Sequence, residues 1–272
     1  MPRVDTVGLA SVDGRITPTH EATISLPDDG LYRGDGVFEV ARLYGGRPFA
    51  MADHFDRLER SAAAIGLPVD RAALEAELPP LLAEAGEVEA NLRVVVTRGG
   101  RRILLIEEPF PYADSATVAT VTYQPTVILN CVKSLSYAAN MHATRIAKER
   151  GADEAILVTP DGTVLEAPTS SLFWAGPDGV LKTPSLDNPI LDSITRDRVV
   201  RALEVEEGTY DLSDLQGATE AFMASTGREV QPVSSIDGQD LEWPGPHTKA
   251  AMDAFSDAVE RELGVAGQGG AL

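Results

Sequence analysis

Residues 133–174 decide the fold of this 272-residue chain, and they read KSLSYAANMHATRIAKERGADEAILVTPDGTVLEAPTSSLFW. The pattern predicts a helix over Ser136–Arg150, which Gly151 ends because glycine is a common stop just past the last turn. Strands are predicted over residues 154–159, 163–167 and 171–175, with the first turn at Asp161-Gly162. Helices and strands mix without regular alternation, so we predict an α+β chain, of mixed α/β type, with two domains.

The N-terminal part is predicted to form hairpins around helical segments. Helical spacing of apolar residues runs over Asp53–Gly66, and a second helical segment that starts at Asp70 is predicted to break at Pro79-Pro80. Turn signals between short apolar runs occur three times, at Asp13-Gly14, Gly45-Gly46 and Gly99-Gly100. These segments together predict a small sheet with helices packed on it.

A domain boundary is predicted at residues 109–116, PFPYADSA, which are polar, proline-bearing and without periodicity. We therefore expect a small N-terminal α/β domain over residues 1–110, a linker over about 111–116 and a larger domain over 117–272. In the larger domain, further helices are predicted over residues 194–208 and 248–263. The glycine-rich tail, about 265–272, is predicted to be disordered.

Composition excludes several classes of protein. The net charge of −19 argues against nucleic acid or an anionic membrane as the main partner. No apolar run is long enough to span a membrane, the start of the chain lacks a signal peptide, and the single cysteine, Cys131, fits a reducing cytoplasm. The four histidines have no metal-ligand spacing, and no glycine-rich nucleotide loop opens a helix. We expect a cytoplasmic protein without a metal.

Only four lysines occur, so the candidates for covalent chemistry are few. Lys148 belongs to a solvated helix end, and Lys182 and Lys249 lie in a hairpin and a terminal helix. Lys133 alone ends an apolar run, TVILNCV, which we predict to be a strand with Cys131 buried as a small apolar residue. The local sequence is compatible both with a Schiff-base lysine and with a strand-end lysine whose amine reaches solvent. Glu166, at the end of a predicted strand, is open to the same two interpretations.

Three places have the chemistry of a phosphate site. The helix start in LDSITRDRVV offers backbone N–H groups after Ser193, and Ser225-Thr226-Gly227 offers hydroxyls in a turn. Arg57 is predicted to lie off the apolar face of its helix, where it can reach an anion. Serine and threonine also serve as ordinary helix caps, so each signal alone is weak.

Six segments, in this order, resemble the class IV aminotransferases, which depend on pyridoxal 5′-phosphate (PLP) and have fold type IV. The segments are GLYRGDGVFEVARLYGG, HFDRLERSA, KSLSYAANMHA, GADEAILVTPDGTVLEAPTSSLF, PILDSITRD and EAFMASTGREVQPV. The resemblance spans nearly the whole chain. It implies the two-domain fold of D-amino acid aminotransferases, a homodimer, and an active site between the domains.

The resemblance also implies a role for each matching residue. Lys133 would be the Schiff-base lysine and proton carrier, and Glu166 the partner of the pyridine nitrogen. The remaining cofactor-binding positions would be Arg57, Ile194, Thr195, Ser225 and Thr226 around the phosphate, with Leu191 against the ring. His54 matches a family position for which we expect a structural role.

Substrate-binding positions depart from the familiar patterns of the family. We predict Arg33, Phe38, Arg93 and Gly227 at these positions, and Arg33 with Arg93 would hold a carboxylate. The favoured interpretation is amino transfer between a D-amino acid and a 2-oxo acid. The alternatives are an aminodeoxychorismate lyase and a branched-chain L-amino acid aminotransferase, since Arg42 and Arg93 match arginines of the latter. Arg33 is alternatively a surface residue paired with Asp28, Asp29 or Asp35.

Overall fold

The computed structural model describes residues 8–264 and divides them into two compact units. Unit 1 contains the described residues up to Phe110 together with Val132–Tyr137, and unit 2 contains Pro111–Cys131 and the described residues from Ala138 onward. The sequence placed Val132–Tyr137 in the second domain, whereas its contacts are with unit 1. The predicted disordered tail, 265–272, lies outside the described residues.

Unit 1 is built on a six-stranded antiparallel sheet with the order β2-β1-β6-β5-β3-β4. Its strands are β1 (Leu9–Val12), β2 (Arg15–Pro18), β3 (Gly36–Tyr44), β4 (Arg47–Pro48), β5 (Ala90–Thr97) and β6 (Arg102–Glu107). Its helices are α1 (Asp29–Arg33), α2 (Met51–Ala64) and α3 (Arg71–Ala85). The three predicted glycine turns join β1 to β2, β3 to β4 and β5 to β6, and in each the final glycine has a positive φ.

One face of this sheet forms the core of unit 1. Alternate residues of β3, among them Val37, Ala41 and Leu43, pack with Leu92 and other apolar residues of β5 against α2 and α3. The predicted break at Pro79-Pro80 is wrong, because α3 continues through both prolines. Buried leucines on both sides of the prolines, at positions 74, 78 and 81, hold the helix on the sheet despite the lost N–H donors.

Val132–Tyr137 pairs with the start of β3. Val37 and Ser134 form an antiparallel bridge, and the N–H of Leu135 donates to the carbonyl of Gly36 at 2.9 Å. The segment therefore acts as a short additional edge beside β3, which is why it belongs to unit 1.

Unit 2 is built on an eight-stranded mixed sheet with the order β11-β10-β9-β12-β13-β7-β8, and β14 pairs with β13. Its strands are β7 (Ala116–Thr122), β8 (Glu154–Val158), β9 (Ser171–Ala175), β10 (Leu181–Pro184), β11 (Glu206–Gly208), β12 (Glu220–Ser225), β13 (Glu229–Ile236) and β14 (Gln239–Asp240). Its helices are α4 (Ala138–Glu149), α5 (Ile194–Ala202), α6 (Leu212–Gln216) and α7 (Pro246–Leu263). Within residues 8–264, no helix combines the length and apolar character that crossing a membrane requires.

Three local predictions in unit 2 are wrong. TVILNCV is not a strand: Val127–Leu129 is a single turn of 3-10 helix, and Cys131 is exposed with a φ of 60°. Residues 163–167 form only isolated bridges rather than a strand, and a turn follows at residues 168–169. The helix predicted over 194–208 ends at Ala202, and its last residues form β11. Apolar composition alone misled in the first case, because no neighbouring strand is there to pair with.

Candidate active site

Lys133 has its backbone fixed by neighbours in unit 1. Its carbonyl accepts the N–H of Phe38 at 3.0 Å, and its own N–H donates to the hydroxyl of Ser61 at 3.1 Å. Ser61 is 2% exposed and lies on α2, on the side of the helix that faces β3. The backbone of Lys133 is therefore hydrogen-bonded both to the sheet and to α2.

The side chain of Lys133 extends over two aromatic rings. Its Nζ lies 4.6 Å from the ring centroid of Phe38 and 6.0 Å from that of Tyr137. The two rings meet edge to face, with their centroids 5.3 Å apart, so each restricts the rotation of the other. The amine of a half-buried lysine is thus held at a defined place on an aromatic surface.

A buried charged cluster lies on the opposite face of β3 from Phe38. Glu39, which is 0% exposed, accepts hydrogen bonds from Arg57 through both oxygens: Nε donates to Oε1 and Nη2 to Oε2, each at 2.7 Å. The ring Nδ1 of His54 lies 2.8 Å from the same Oε2. The prediction that Arg57 lies off the apolar face is wrong, since Arg57 is 5% exposed and points at the sheet beside Leu58.

The protonation states of this cluster follow from its contacts. Burial alone would raise the pKa of Glu39, but the charge of Arg57 and the hydrogen bonds from Arg57 and His54 hold that pKa well below its ordinary value. Burial lowers the pKa of His54, against the opposing pull of Glu39. We infer that Glu39 is ionised and accepts a hydrogen bond from the Nδ1–H of a neutral His54.

Acidification is expected to lower the melting temperature of the protein below about pH 6.5. The pKa of His54 is lowered in the fold from an ordinary value of 6.5, so the unfolded chain binds this proton first and stability falls as the pH falls. The lowered pKa of Glu39 extends the loss of stability below its ordinary value of 4.5. Melting curves between pH 7.5 and pH 4 measure this effect. His54→Gln should flatten the upper part of the profile, whereas His142→Gln, at an exposed position, should not. An equal slope in the two variants would contradict the assignment.

Arg93 lies close to the Phe38 ring that also contacts Lys133, whereas the side chain of Arg33 is exposed. The guanidinium carbon of Arg93 lies 5.7 Å from the Phe38 ring centroid, and Glu107 binds Arg93 through Nη2 at 2.7 Å and Nε at 3.3 Å. Arg33 ends α1 with its side chain 75% exposed and 3.6 Å from Asp29. The contacts of Arg33 thus match the alternative interpretation of a surface residue.

In unit 2, Glu166 has a fixed orientation. Its Oε1 accepts the backbone N–H of Leu191 at 2.9 Å, and its carbonyl accepts the N–H of Leu157. Burial, and then the charge of Glu166, raise the pKa of Tyr123. The orientation of the Glu166 carboxylate is therefore fixed by the backbone, and the structure brings Glu166 together with Leu191.

The start of α5 lies a few residues after Leu191. Ser193 caps this helix by accepting the N–H of Arg196 at 3.3 Å, and the first helical residues, Ile194 and Thr195, are buried. The first N–H groups of a helix have no acceptor within the helix and favour an anion. α5 also packs against β12, whose last residue is Ser225.

Arg228 stabilises the turn Ser225–Glu229 through contacts that the sequence did not reveal. The Nη2 of Arg228 donates to Glu154 at 2.8 Å, with both side chains less than a tenth exposed, and its guanidinium carbon lies 4.2 Å from the Tyr112 ring centroid. The N–H of Arg228 donates to Ser225 Oγ at 3.4 Å. Thr226 and Gly227 form the half-buried tip of this turn. Arg228 therefore has a structural role.

Sequence reasoning missed Glu39 and Ser61 as site residues. The helical spacing of His54, Arg57 and Ser61 could have indicated that α2 presents a row of polar side chains on one face. A single glutamate inside the apolar strand β3 was a second signal.

Comparisons with known proteins identify the family that this chain resembles. The family described as amino-transferase class IV matches residues 36–236. A D-alanine aminotransferase of Listeria innocua is 33% identical, with 93% of this chain and 96% of the relative covered. A putative branched-chain-amino-acid aminotransferase of Methanocaldococcus jannaschii is 34% identical over 90% and 94%. The solved structure of a fold IV-transaminase from Curtobacterium pusillum is 28% identical with a TM-score of 0.80, over 89% of this chain and 93% of that one.

Proposed function

The chain belongs to the class IV aminotransferases, and on that basis we propose that it transfers an amino group between a D-amino acid and a 2-oxo acid. The observation that supports this choice of substrate is that D-alanine aminotransferases of two genera are about one-third identical over nearly the full length of both proteins, although a branched-chain relative reaches the same identity. Enzymes of this class use PLP as their cofactor. Bound PLP supplies an aldehyde that takes up the amino group and a ring that withdraws electrons from the substrate's α-carbon.

Each unit, taken by itself, contains groups that fit part of this cofactor chemically. Unit 1 contributes an amine on an aromatic support, Lys133, and a buried cation, Arg57. Unit 2 contributes a carboxylate that a backbone N–H orients, Glu166, and the N–H groups at the start of α5. An aldehyde, a phosphate and a pyridine nitrogen need this set of groups.

We infer that Lys133 Nζ forms the covalent bond to the cofactor. With the cofactor and substrate bound, the freed amine of Lys133 would be the group that moves the proton at the substrate's α-carbon. Two hydrogen bonds fix its backbone and two rings support its side chain, so Nζ can return to one position after displacement. This positional constancy is what a proton carrier requires.

The remaining cofactor roles are proposed from chemistry. Glu166 would stabilise a protonated pyridine nitrogen. The hydrogen bond from the Leu191 N–H fixes the orientation of the Glu166 carboxylate. Leu191 packs on the ring. Phosphate ligands are, by this proposal, Arg57, Ile194, Thr195, Ser225 and Thr226.

Substrate recognition is proposed to involve Phe38, Arg93 and Gly227. Arg93 already pairs with Glu107, so a substrate carboxylate would share or displace that partner. The identity to a putative branched-chain enzyme, together with arginines at positions 42 and 93, favours a branched-chain L-amino acid aminotransferase as the second candidate. The ion pair of Arg33 with Asp29 favours a surface role for Arg33 over the predicted substrate role.

Donor specificity is expected to separate these candidates in a single-turnover experiment. Purified enzyme loaded with PLP is mixed with D-alanine, D-glutamate, L-leucine or L-glutamate, and the visible absorbance of the bound cofactor is followed. We expect loss of that absorbance with the D-amino acids, at rates at least about tenfold above those with the L-amino acids, because a site that fits the D-amino acid would direct the α-hydrogen of its enantiomer away from Lys133 Nζ. Faster reaction with L-leucine would support the second candidate. No reaction with any donor, but formation of 4-aminobenzoate from aminodeoxychorismate, would overturn amino transfer in favour of a lyase.

We also propose that the enzyme is a cytoplasmic homodimer. Val127 and Ile128 of unit 2 are each 82% exposed, and Leu26 and Tyr32 of unit 1 are 68% and 64% exposed. Large apolar side chains this exposed, such as the consecutive Val127 and Ile128, are typical of contact surfaces between proteins. The single cysteine supports a reducing compartment, and the charge of −19 supports small-molecule partners rather than nucleic acid or membrane.

Ile128→Glu is expected to shift the protein from dimer to monomer, because a carboxylate would be buried without a partner at the contact. Light scattering should give twice the mass of one chain for the unaltered protein and a lower mean mass for the variant. Val180→Glu, at a position only 37% exposed in the same unit, serves as the control. An Ile128→Glu protein with an unchanged mass would remove this segment from the interface.

A further inference from the structure

The Glu39 cluster has a geometry that stability alone does not explain. Glu39 interrupts an otherwise apolar row of β3, between Val37 and Ala41, and is 0% exposed. Replacing a buried ion pair with apolar residues of similar volume is often neutral or stabilising. Apolar side chains at positions 39 and 57 together would therefore serve the core of unit 1 at least as well. The bidentate contact between Glu39 and Arg57, called the fork below, is therefore better explained by its effect on the position of the arginine.

The fork fixes the plane of the guanidinium. Two parallel hydrogen bonds at 2.7 Å occupy the Nε–Nη2 edge of Arg57. A bidentate contact of this kind specifies orientation as well as distance. The direction in which the Nη1 end of the guanidinium points is thereby set by the carboxylate rather than by the flexible arginine stem.

His54 fixes the carboxylate in turn. Its Nδ1 lies 2.8 Å from Glu39 Oε2, and the imidazole is itself 1% exposed. His54 and Arg57 are three residues apart on α2, so one helix face presents both partners to the same carboxylate. With three hydrogen bonds on two oxygens, Glu39 cannot rotate without breaking at least one of them.

We propose that Glu39, held by His54, is a positioning residue that orients the Arg57 guanidinium toward the phosphate of the cofactor. This inference rests on the proposed role of Arg57 as a phosphate ligand. Glu39 itself does not touch the phosphate, and its negative charge opposes that of the phosphate. Orientation and charge therefore act in opposite directions, which makes the two separable by experiment.

The test compares the affinity of the cofactor-free protein for PLP and for pyridoxal, which has the same ring and aldehyde but no phosphate. Absorbance titration gives both dissociation constants without any measurement of turnover. Glu39→Gln is expected to lower the ratio of PLP affinity to pyridoxal affinity roughly tenfold, the worth of one well-oriented bond to a charged group. Pyridoxal affinity should stay unchanged. An unchanged or increased ratio would mean that Glu39 acts through charge or not at all, and would overturn the proposal.

Glu39→Asp distinguishes position from charge, and also remains informative if Glu39→Gln folds poorly. Aspartate keeps the negative charge but is one methylene too short for the fork, so the proposal predicts the lowered ratio again. A ratio equal to that of the unaltered protein would overturn it. Glu220→Gln, at another buried glutamate on β12 of unit 2, is the matched control and should leave the ratio unchanged.

Arg57→Gln separates failure of this inference from failure of the proposed function. If Arg57 binds phosphate, Arg57→Gln lowers the ratio, and adding Glu39→Gln lowers it no further because the group to be oriented is gone. A lowered ratio for Arg57→Gln beside an unchanged ratio for Glu39→Gln overturns the positioning role alone. An unchanged ratio for Arg57→Gln overturns both the phosphate role of Arg57 and the positioning role of Glu39.

Discussion

Lys133→Ala is expected to reduce the rate of amino transfer by at least roughly 10²–10⁴-fold, the usual contribution of a positioned general acid–base group. The loss should exceed this range if the covalent bond to the cofactor is also essential. Within unit 1, no other lysine can replace Lys133, since Lys148, Lys182 and Lys249 all belong to unit 2. Steady-state rates with D-alanine and a 2-oxo acid measure this effect.

Covalent attachment is measured separately from rate. Borohydride reduction of the loaded enzyme should add the mass of the reduced cofactor to the peptide that contains Lys133, and should add nothing to the Lys133→Ala protein. Lys148→Ala is the matched control, because Lys148 lies exposed on α4 and should keep both full rate and full labelling. Stoichiometric labelling of the Lys133→Ala protein at another lysine would refute the central assignment.

Arg57→Met is expected to reduce the free energy of unfolding by about 3–5 kcal/mol, the usual consequence of removing one partner of a buried ion pair. Glu39 would remain 0% exposed with only His54 as a partner, and an unpaired buried carboxylate is costly. Urea denaturation of the cofactor-free protein, followed by circular dichroism, measures the change. The double variant Glu39→Gln with Arg57→Met should recover part of the loss, since the stranded charge is then absent.

Arg71→Met provides the control for this measurement. Arg71 also pairs with carboxylates, those of Asp56, Glu59 and Glu75, but its partners are more than two-fifths exposed. Exposed ion pairs contribute about 0–1 kcal/mol, so this variant should lose little stability. Equal losses in Arg57→Met and Arg71→Met would contradict the description of the Glu39 cluster as a desolvated pair.

Local signals predicted much of the fold. The glycine turns at residues 14, 46 and 100 join the expected hairpins, and Ser193 caps α5, because such signals act within a few residues of themselves. Predictions failed where distant neighbours decide. Val127–Leu129 has the composition of a strand but finds no strand to pair with, and α3 continues through two prolines because buried leucines hold it.

The same division runs through the candidate site. Counting lysines and matching six ordered segments pointed to Lys133 and Glu166 from the sequence, since those choices depend only on which residues are present. The burial of Arg57 against Glu39 was not accessible in this way, because it requires β3 and α2 to pack face to face. The exposure of Arg33 likewise depends on what surrounds α1.

Residues 133–174 contain the amine at the end of an apolar segment and the carboxylate before a turn that the resemblance to class IV aminotransferases identifies as the groups of a PLP enzyme. Tertiary structure decided how these groups are held. Hydrogen bonds with β3 and Ser61 place Val132–Tyr137 in unit 1. Packing within unit 1 places Lys133 Nζ over the rings of Phe38 and Tyr137. The physical reason is that residue identity fixes which reactions are available. Burial, hydrogen-bond partners and orientation come from contacts between residues far apart in the chain.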